Sequence, residues 1–363
     1  MTEIAASHVL WPDGTLAPGV VQIDAGSIVG VGRPDGPVPR RILAPGFVDI
    51  QVNGHVDVDV ATADGSDWDR LDDLLVAQGV TTWCPTVVTA PAASTAVSLG
   101  RIAVAARRDG ARPAIAGAHM EGPFLGGRPG AHPVEHIAPP DRDRVECIPE
   151  IVRLVTLGPE ADGATDAIAR LRTRGITVAL GHSTATYDEA RVAVDAGATL
   201  VTHAFNAMDP LHHREPGLLG LALGDDRVAI SLIADLVHVH PAALRIAVRS
   251  KPRGTVVLVT DAVAWRSGVL ASRDIALVDG APRLPDGTLA GSALTMDVAV
   301  SNLVGSGAAD LASALCAASA TPAALLGLVD RGTIATGRRA DLVALDLDLR
   351  VDAVWIGGEQ VRG

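Results

Sequence analysis

From Ala44 onward the chain alternates two kinds of segment. One is a short, nearly continuous apolar run: FVDIQV, TTWCPTVV, AIAGAHM, RLVTLG, TVALGHS, LVTHAF, VAISLIAD and TVVLVTD. The other is an Ala- and Leu-rich stretch of helical character, such as WDRLDDLLVAQG or DAIARLRTRG. Strands that read apolar at nearly every position are buried on both faces, and the helices between them cover a parallel sheet. Eight such runs predict an α/β fold, a (β/α)8 TIM barrel. A doubly wound open sheet is the competing arrangement, but no G-x-G-x-x-G turn follows an early strand.

The ends of the chain are patterned differently. VVQIDAG and SIVGVGR near the start are strand-like pieces set off by Gly and Pro, and VALDLDL and VDAVWI near the end alternate apolar with polar positions. Both termini are therefore expected to build one small β-sandwich domain. Residues 1–44 and 331–363 would supply it, and residues 45–330 the barrel.

Composition narrows the partners. At 363 residues and 48% apolar content the chain can bury a large core, and its net charge of −12 argues against nucleic acid or an anionic membrane surface. Any anionic substrate needs a local cationic pocket. The opening MTEIAASHVLWPDG lacks a basic segment followed by a long apolar core, and no run approaches eighteen apolar residues, so a cytoplasmic location is expected. Cys84, Cys147 and Cys316 are widely spaced without a C-x-x-C pair and read as free thiols.

Chemistry gathers at the far ends of the apolar runs, where Glu121, His182, His203, His238 and Asp261 stand. In a barrel those ends converge on one face, the face that carries active sites. A lone strand-end His is usually just hydrogen-bonded, and a lone Asp there is usually a helix N-cap. Their recurrence on successive strands points instead to a divalent cation of the zinc type, with Asp261 as a spare carboxylate that moves protons. The stretch THAFNAMDPLHHREPG adds His212, His213, Arg214 and Glu215 beside His203, a crowding that suggests a metal ligand next to an anion clamp.

The motifs APGFVDIQVNG, HMEGPFL, GAH, GHSTATYDEA, THAFNAM, REPG, LVTDA and LAGSALTMD, followed by ATPAALLGL and GRRADLVALD, closely resemble the N-acetylglucosamine-6-phosphate deacetylases of the amidohydrolase superfamily. The resemblance spans roughly Ala44 to Asp346 in the family's order. It implies a metal-dependent hydrolase that removes acetate from an amino sugar phosphate, usually as a homodimer. By motif, Glu121, His182 and His203 match the metal ligands and Asp261 the catalytic acid/base. Ala131, His132, Asn206, Ala207, Arg214, His238, Leu289, Ala290 and Gly291 match positions lining the sugar phosphate pocket. His132 or the metal is expected to stabilise the oxyanion, and Arg214 to hold the phosphate, in this protomer or a partner's.

Two departures stand out. Many superfamily members carry His-x-His after the first barrel strand for a second metal; this chain has Gln51 and Asn53, so one divalent ion per subunit is expected, Zn with Fe, Co or Mn as alternatives. His55 follows Gly54, which ends the strand first, so it is read as a non-ligand. In ADLVH, Leu236 replaces the family's usual glycine and is expected to reshape the pocket wall near His238. His212 and His213 are read as loop histidines. The rival readings are deacetylation of N-acetylgalactosamine 6-phosphate, hydrolysis of an N-acyl amino acid, and a catalytically inactive ligand-binding homologue.

Overall fold

The computed structural model describes residues 1–363. Every one of the eight apolar runs forms a barrel strand: Phe47–Val52, Val80–Val88, Ala118–Glu121, Val152–Leu157, Thr177–Leu180, Leu200–Val201, Ala229–Leu232 and Val256–Leu258. Neighbours pair parallel in chain order. Phe47–Val52 is buried at every position, as a strand inside a ring of helices must be. The covering helices bury one stripe each. Ala164–Thr173 turns Ala164, Ala167, Ile168 and Leu171 inward, a spacing that follows the helical period. Tyr187–Asp195 starts at a capping box, in which Glu189 N–H donates to Thr186 Oγ1 and Thr186 N–H donates to Glu189.

The ring closes without a regular ladder. Between its first and eighth strands there is only a single bridge, Val52 with Ala262, together with Asp261 N–H to Gln51 O (2.9 Å) and Asn53 N–H to Ala262 O (2.8 Å). Both chain ends meet in one seven-stranded mixed sheet, where Ile42–Pro45 runs parallel to Thr2–Leu10 on one side and antiparallel to Leu342–Leu345 on the other. Its core, with Ile4, Val21, Leu342 and Trp355, is separate from that of the barrel.

One feature was not anticipated from the apolar pattern. After the eighth strand two hairpins, Val269–Leu270 with Arg273–Asp274 and Ala276–Val278 with Ala281–Arg283, form a small lid with its own apolar cluster of Val263, Leu270, Ile275, Leu284 and Ala290. The sequence does carry a signal for the second: Asp279-Gly280 sits in its turn with both residues at positive φ, the conformation a tight hairpin demands. No helix is long and apolar enough to cross a membrane.

Candidate active site

At the C-terminal ends of the strands lies a cavity of about 290 Å³. It is lined by Glu121, His132, His182, His203, Asn206, Ala207, His238 and Asp261, by Ala131, Leu289 and Gly291, and by Asn53 at the end of the first strand. Three of the residues that bear the chemistry are held in left-handed backbone: His182 at φ 50°, His203 at φ 31° and Asp261 at φ 50°. Side chains other than glycine are strained there, and such strain concentrates at functional sites.

Glu121 Oε1 lies 3.2 Å from His182 Nε2 and 3.0 Å from His203 Nε2, and the two imidazole nitrogens are 3.1 Å apart. The second nitrogen of His182, Nδ1, faces only the carbonyl oxygens of Arg128 (3.1 Å) and Pro129 (3.2 Å), so it carries the proton and leaves a lone pair on Nε2. With His203 Nε2 unprotonated as well, the three donor atoms would repel unless a cation lay among them. This donor set, two imidazoles and a carboxylate, therefore fits a divalent ion.

His132 also presents a ligand atom within 4.8 Å of Glu121 and His182. Its tautomer argues for a different part. The Thr89 backbone N–H, which can only donate, points at His132 Nδ1 (3.2 Å), with Thr89 Oγ1 at 2.9 Å. The proton is thus on Nε2, and His132 offers the cavity a hydrogen-bond donor instead of a lone pair. Burial, reinforced by neighbouring His182, pushes this imidazole down to about 3 and keeps it neutral.

Asp261 lines the same cavity and is bridged to Glu121 by one amide. Gln51 Nε2 donates to both Glu121 Oε1 (2.9 Å) and Asp261 Oδ1 (3.1 Å), and Asn53 Nδ2 donates to the same Asp261 oxygen (2.7 Å). Two amides thus occupy the His-x-His positions and fill one oxygen of Asp261, so a proton on this carboxyl resides on Oδ2. Burial, with the Glu121 charge adding to it, pushes Asp261 up to about 8.

The remaining candidates separate. His238 lines the cavity, and its Nδ1 meets Asp235 Oδ2 at 2.6 Å, which leaves Nε2 free. Asp235 Oδ1 also accepts the backbone N–H groups of Val237 (2.9 Å) and His238 (2.8 Å), a turn that forces Leu236 to φ 66°. Leu236 is 40% exposed and does not line the cavity; glycine would be unstrained at this position. Ala290 is turned into the lid cluster between Leu289 and Gly291. His55 is buried away from the cavity with both ring nitrogens unpartnered.

Arg214 does not line the cavity. It is exposed on the loop before helix Gly217–Gly224, and its Nη1 donates to His213 Nε2 at 2.7 Å. His212 and His213 are also exposed. No Arg or Lys lines the cavity. Residue patterns alone had not pointed to Asp235 or Thr89, because their work is to fix the tautomer of a histidine brought near only by folding.

Residues 42–361 match the model of the Amidohydrolase family. The chain is 42% identical over 345 residues to the N-acetylglucosamine-6-phosphate deacetylase of Homo sapiens, covering 88% of this chain and 83% of that protein. It is 38% identical over 333 residues to the N-acetylgalactosamine-6-phosphate deacetylase of Escherichia coli O157:H7, with coverage of 88% and 87%. Among solved structures it is similar to a mutant N-acetyl-D-glucosamine-6-phosphate deacetylase from Mycobacterium smegmatis in complex with N-acetyl-D-glucosamine-6-phosphate, at 35% identity and TM-score 0.92, covering 100% of this chain and 99% of that one.

Proposed function

This chain belongs to the amidohydrolase family, and from that premise we propose how it removes the N-acetyl group of N-acetylglucosamine 6-phosphate to give glucosamine 6-phosphate and acetate. The observation that carries the reading is the convergence of Glu121, His182 and His203 across one cavity from Asp261. Glu121, His182 and His203 would hold one divalent ion, zinc by the borderline character of the donors, with Fe, Co or Mn able to occupy the same set.

An amide resists hydrolysis because neutral water is a weak nucleophile and an amine anion a poor leaving group. The ion, when bound, polarises the acetyl carbonyl and acidifies water. Asp261 moves the proton: Oδ1 is committed to Gln51 and Asn53, and with a divalent ion bound to offset the burial and the Glu121 charge that otherwise keep the carboxyl protonated, Oδ2 would take the proton of the attacking water. It then delivers that proton to the nitrogen as the C–N bond breaks. His132 Nε2–H donates to the acetyl oxygen as negative charge builds there, a contact typically worth about 3 to 4 kcal/mol. His238, oriented by Asp235, meets the sugar phosphate together with Ala131, Asn206, Ala207 and the backbone around Leu289 and Gly291.

A phosphate needs a cation that the cavity's own lining lacks. Exposed Arg214 supplies it to the neighbouring protomer of a homodimer through its planar donor fork. Three free cysteines accord with a reducing, cytoplasmic setting. The relative from Escherichia coli keeps the galactosamine epimer as a second substrate to test. Acetate release from both N-acetylhexosamine 6-phosphates, from their unphosphorylated forms and from an N-acetyl amino acid tests the reading, with the as-purified metal counted. N-acetylglucosamine 6-phosphate is expected to turn over fastest; faster release from an unphosphorylated or amino-acid substrate overturns it.

A further inference from the structure

Asp49 is fully buried on the first barrel strand, two residues before Gln51. Burial pushes its carboxyl up to about 7. Its hydrogen-bond partners all come from two residues. Thr260 Oγ1–H donates to Oδ2 at 2.6 Å, Thr260 N–H is shared between both oxygens at 3.3 Å, and Gln51 N–H donates to Oδ1 at 3.2 Å. A buried carboxylate without a paired cation is expensive, and its presence here calls for a physical reason.

Its location supplies the reason. Asp49 sits on the first strand and Thr260 two residues past the end of the eighth, at the seam where the barrel has one bridge and no ladder. Thr260 immediately precedes Asp261, whose backbone is left-handed at φ 50°. Asp261 N–H donates to Gln51 O, Asp261 O accepts Ser292 N–H at 2.8 Å, and Thr260 O accepts Ser292 Oγ–H at 2.5 Å. The aim of the Asp261 carboxylate therefore depends on how Thr260 sits against the strand that carries Gln51 and Asn53. The Asp49 carboxylate grips both sides of that relation.

We propose that Asp49 is a positioning residue for the deacetylation, stapling the segment that follows the eighth strand to the first strand through Thr260 so that Asp261 Oδ2 faces the substrate nitrogen. The inference rests on Asp261 as the proton carrier. Asn at position 49 keeps the shape but replaces an acceptor with a donor among groups that already donate. Val at position 260 removes the hydroxyl while keeping the volume, and Ser keeps the hydroxyl.

The test measures kcat, KM and bound metal for Asp49→Asn, Thr260→Val, Thr260→Ser and the Asp49→Asn/Thr260→Val double variant, as metal-loaded full-length proteins. Misplacing a reacting group by about 1 Å can cost on the order of a hundredfold in rate, so Asp49→Asn and Thr260→Val are expected to lose about tenfold or more in kcat. KM for N-acetylglucosamine 6-phosphate and metal per chain should stay close to wild type, and Thr260→Ser should restore most of kcat. The double variant should be no slower than the slower single variant, because both act through one contact. A kcat unchanged by Thr260→Val, losses that multiply in the double variant, or losses that only track missing metal or folded protein would overturn the proposal. Should Asp49→Asn fail to fold, the Val and Ser pair at position 260 still decides. A fully active Asp261→Asn would instead remove the premise, a separate result.

Discussion

The two oxygens of Asp261 have different surroundings, and this division sets what a conservative substitution does. Asn at this position can keep an oxygen facing Gln51 and Asn53 but puts an amide where Oδ2 takes up a proton. Asp261→Asn is expected to retain the metal and the fold while kcat falls by at least about 100-fold, the lower end of general acid/base contributions. Steady-state rates alongside metal analysis check this, and activity within threefold of wild type on the order of the assay's own scatter would remove Asp261 from the chemistry. His55 poses the opposite case, a buried imidazole without partners or a part in the reaction. Burial, with the Arg70 charge adding to it, pushes its ring down to about 4, against an ordinary 6.5 in the unfolded chain. The folded protein then binds fewer protons between those values, so stability is full above pH 6.5 and falls as pH drops toward 4. His55→Leu gives up no hydrogen bond and removes that contribution. Its melting temperature should fall less than wild type between pH 7.5 and pH 4.5, a pH pair chosen to straddle roughly the window that linkage defines. His119, also pushed down to about 4 by burial, keeps part of the slope. Parallel melting curves for the two proteins would show that His55 contributes nothing to acid sensitivity.

Elements rather than single side chains decide where the substrate's phosphate can be held. The loop between His203 and helix Gly217–Gly224 begins inside the cavity with Asn206 and Ala207 and ends on the surface with Arg214. The proposed phosphate clamp makes a specific demand. Arg214→Ala should lose about ten- to a hundredfold in kcat/KM for the 6-phosphate substrate, the scale of a charge-assisted contact of roughly 1.5 to 3 kcal/mol. The unphosphorylated sugar should be almost unaffected, and comparing both substrates makes the measurement. Equal fractional losses on both would mean the residue only stiffens its loop. The lid hairpins act on the other wall, where Arg273 Nη1–H donates to the Ala131 carbonyl at 3.2 Å and ties the lid to the loop carrying His132.

At the scale of the whole molecule, the barrel seam and the metal content are linked through Gln51 and Asn53. Both are amides that donate to carboxylates, where a second ion would need lone pairs from imidazoles. The active protein is therefore expected to hold about one tightly bound divalent ion per chain. Removing it with a chelator should abolish turnover and lower the melting temperature, since an ion that binds only the folded state stabilises it. Metal analysis and thermal melts of the same samples check both. Two ions per subunit, both required for turnover, would contradict the expectation.

The barrel was legible along the chain because parallel strands buried on both faces must be apolar throughout, and each of the eight runs became one. The candidates at the strand ends were legible for a related reason: Glu121, His182, His203 and Asp261 interrupt or end runs that otherwise reject polar groups. Folding alone decided how each is used. That His182 faces the cavity with a lone pair and His132 with a proton follows from carbonyls at 128 and 129 and an N–H at 89, partners with no fixed spacing from the rings they set. The lid hairpins and the inward turn of Ala290 depended on a local apolar cluster too small to impose a periodicity. Leu236 and Arg214 point outward for reasons of backbone path, since a turn capped by Asp235 and a surface loop direct those side chains away from the cavity. Sequence records which groups are polar in an apolar setting; the direction of a hydrogen bond is settled only when chain segments far apart become neighbours.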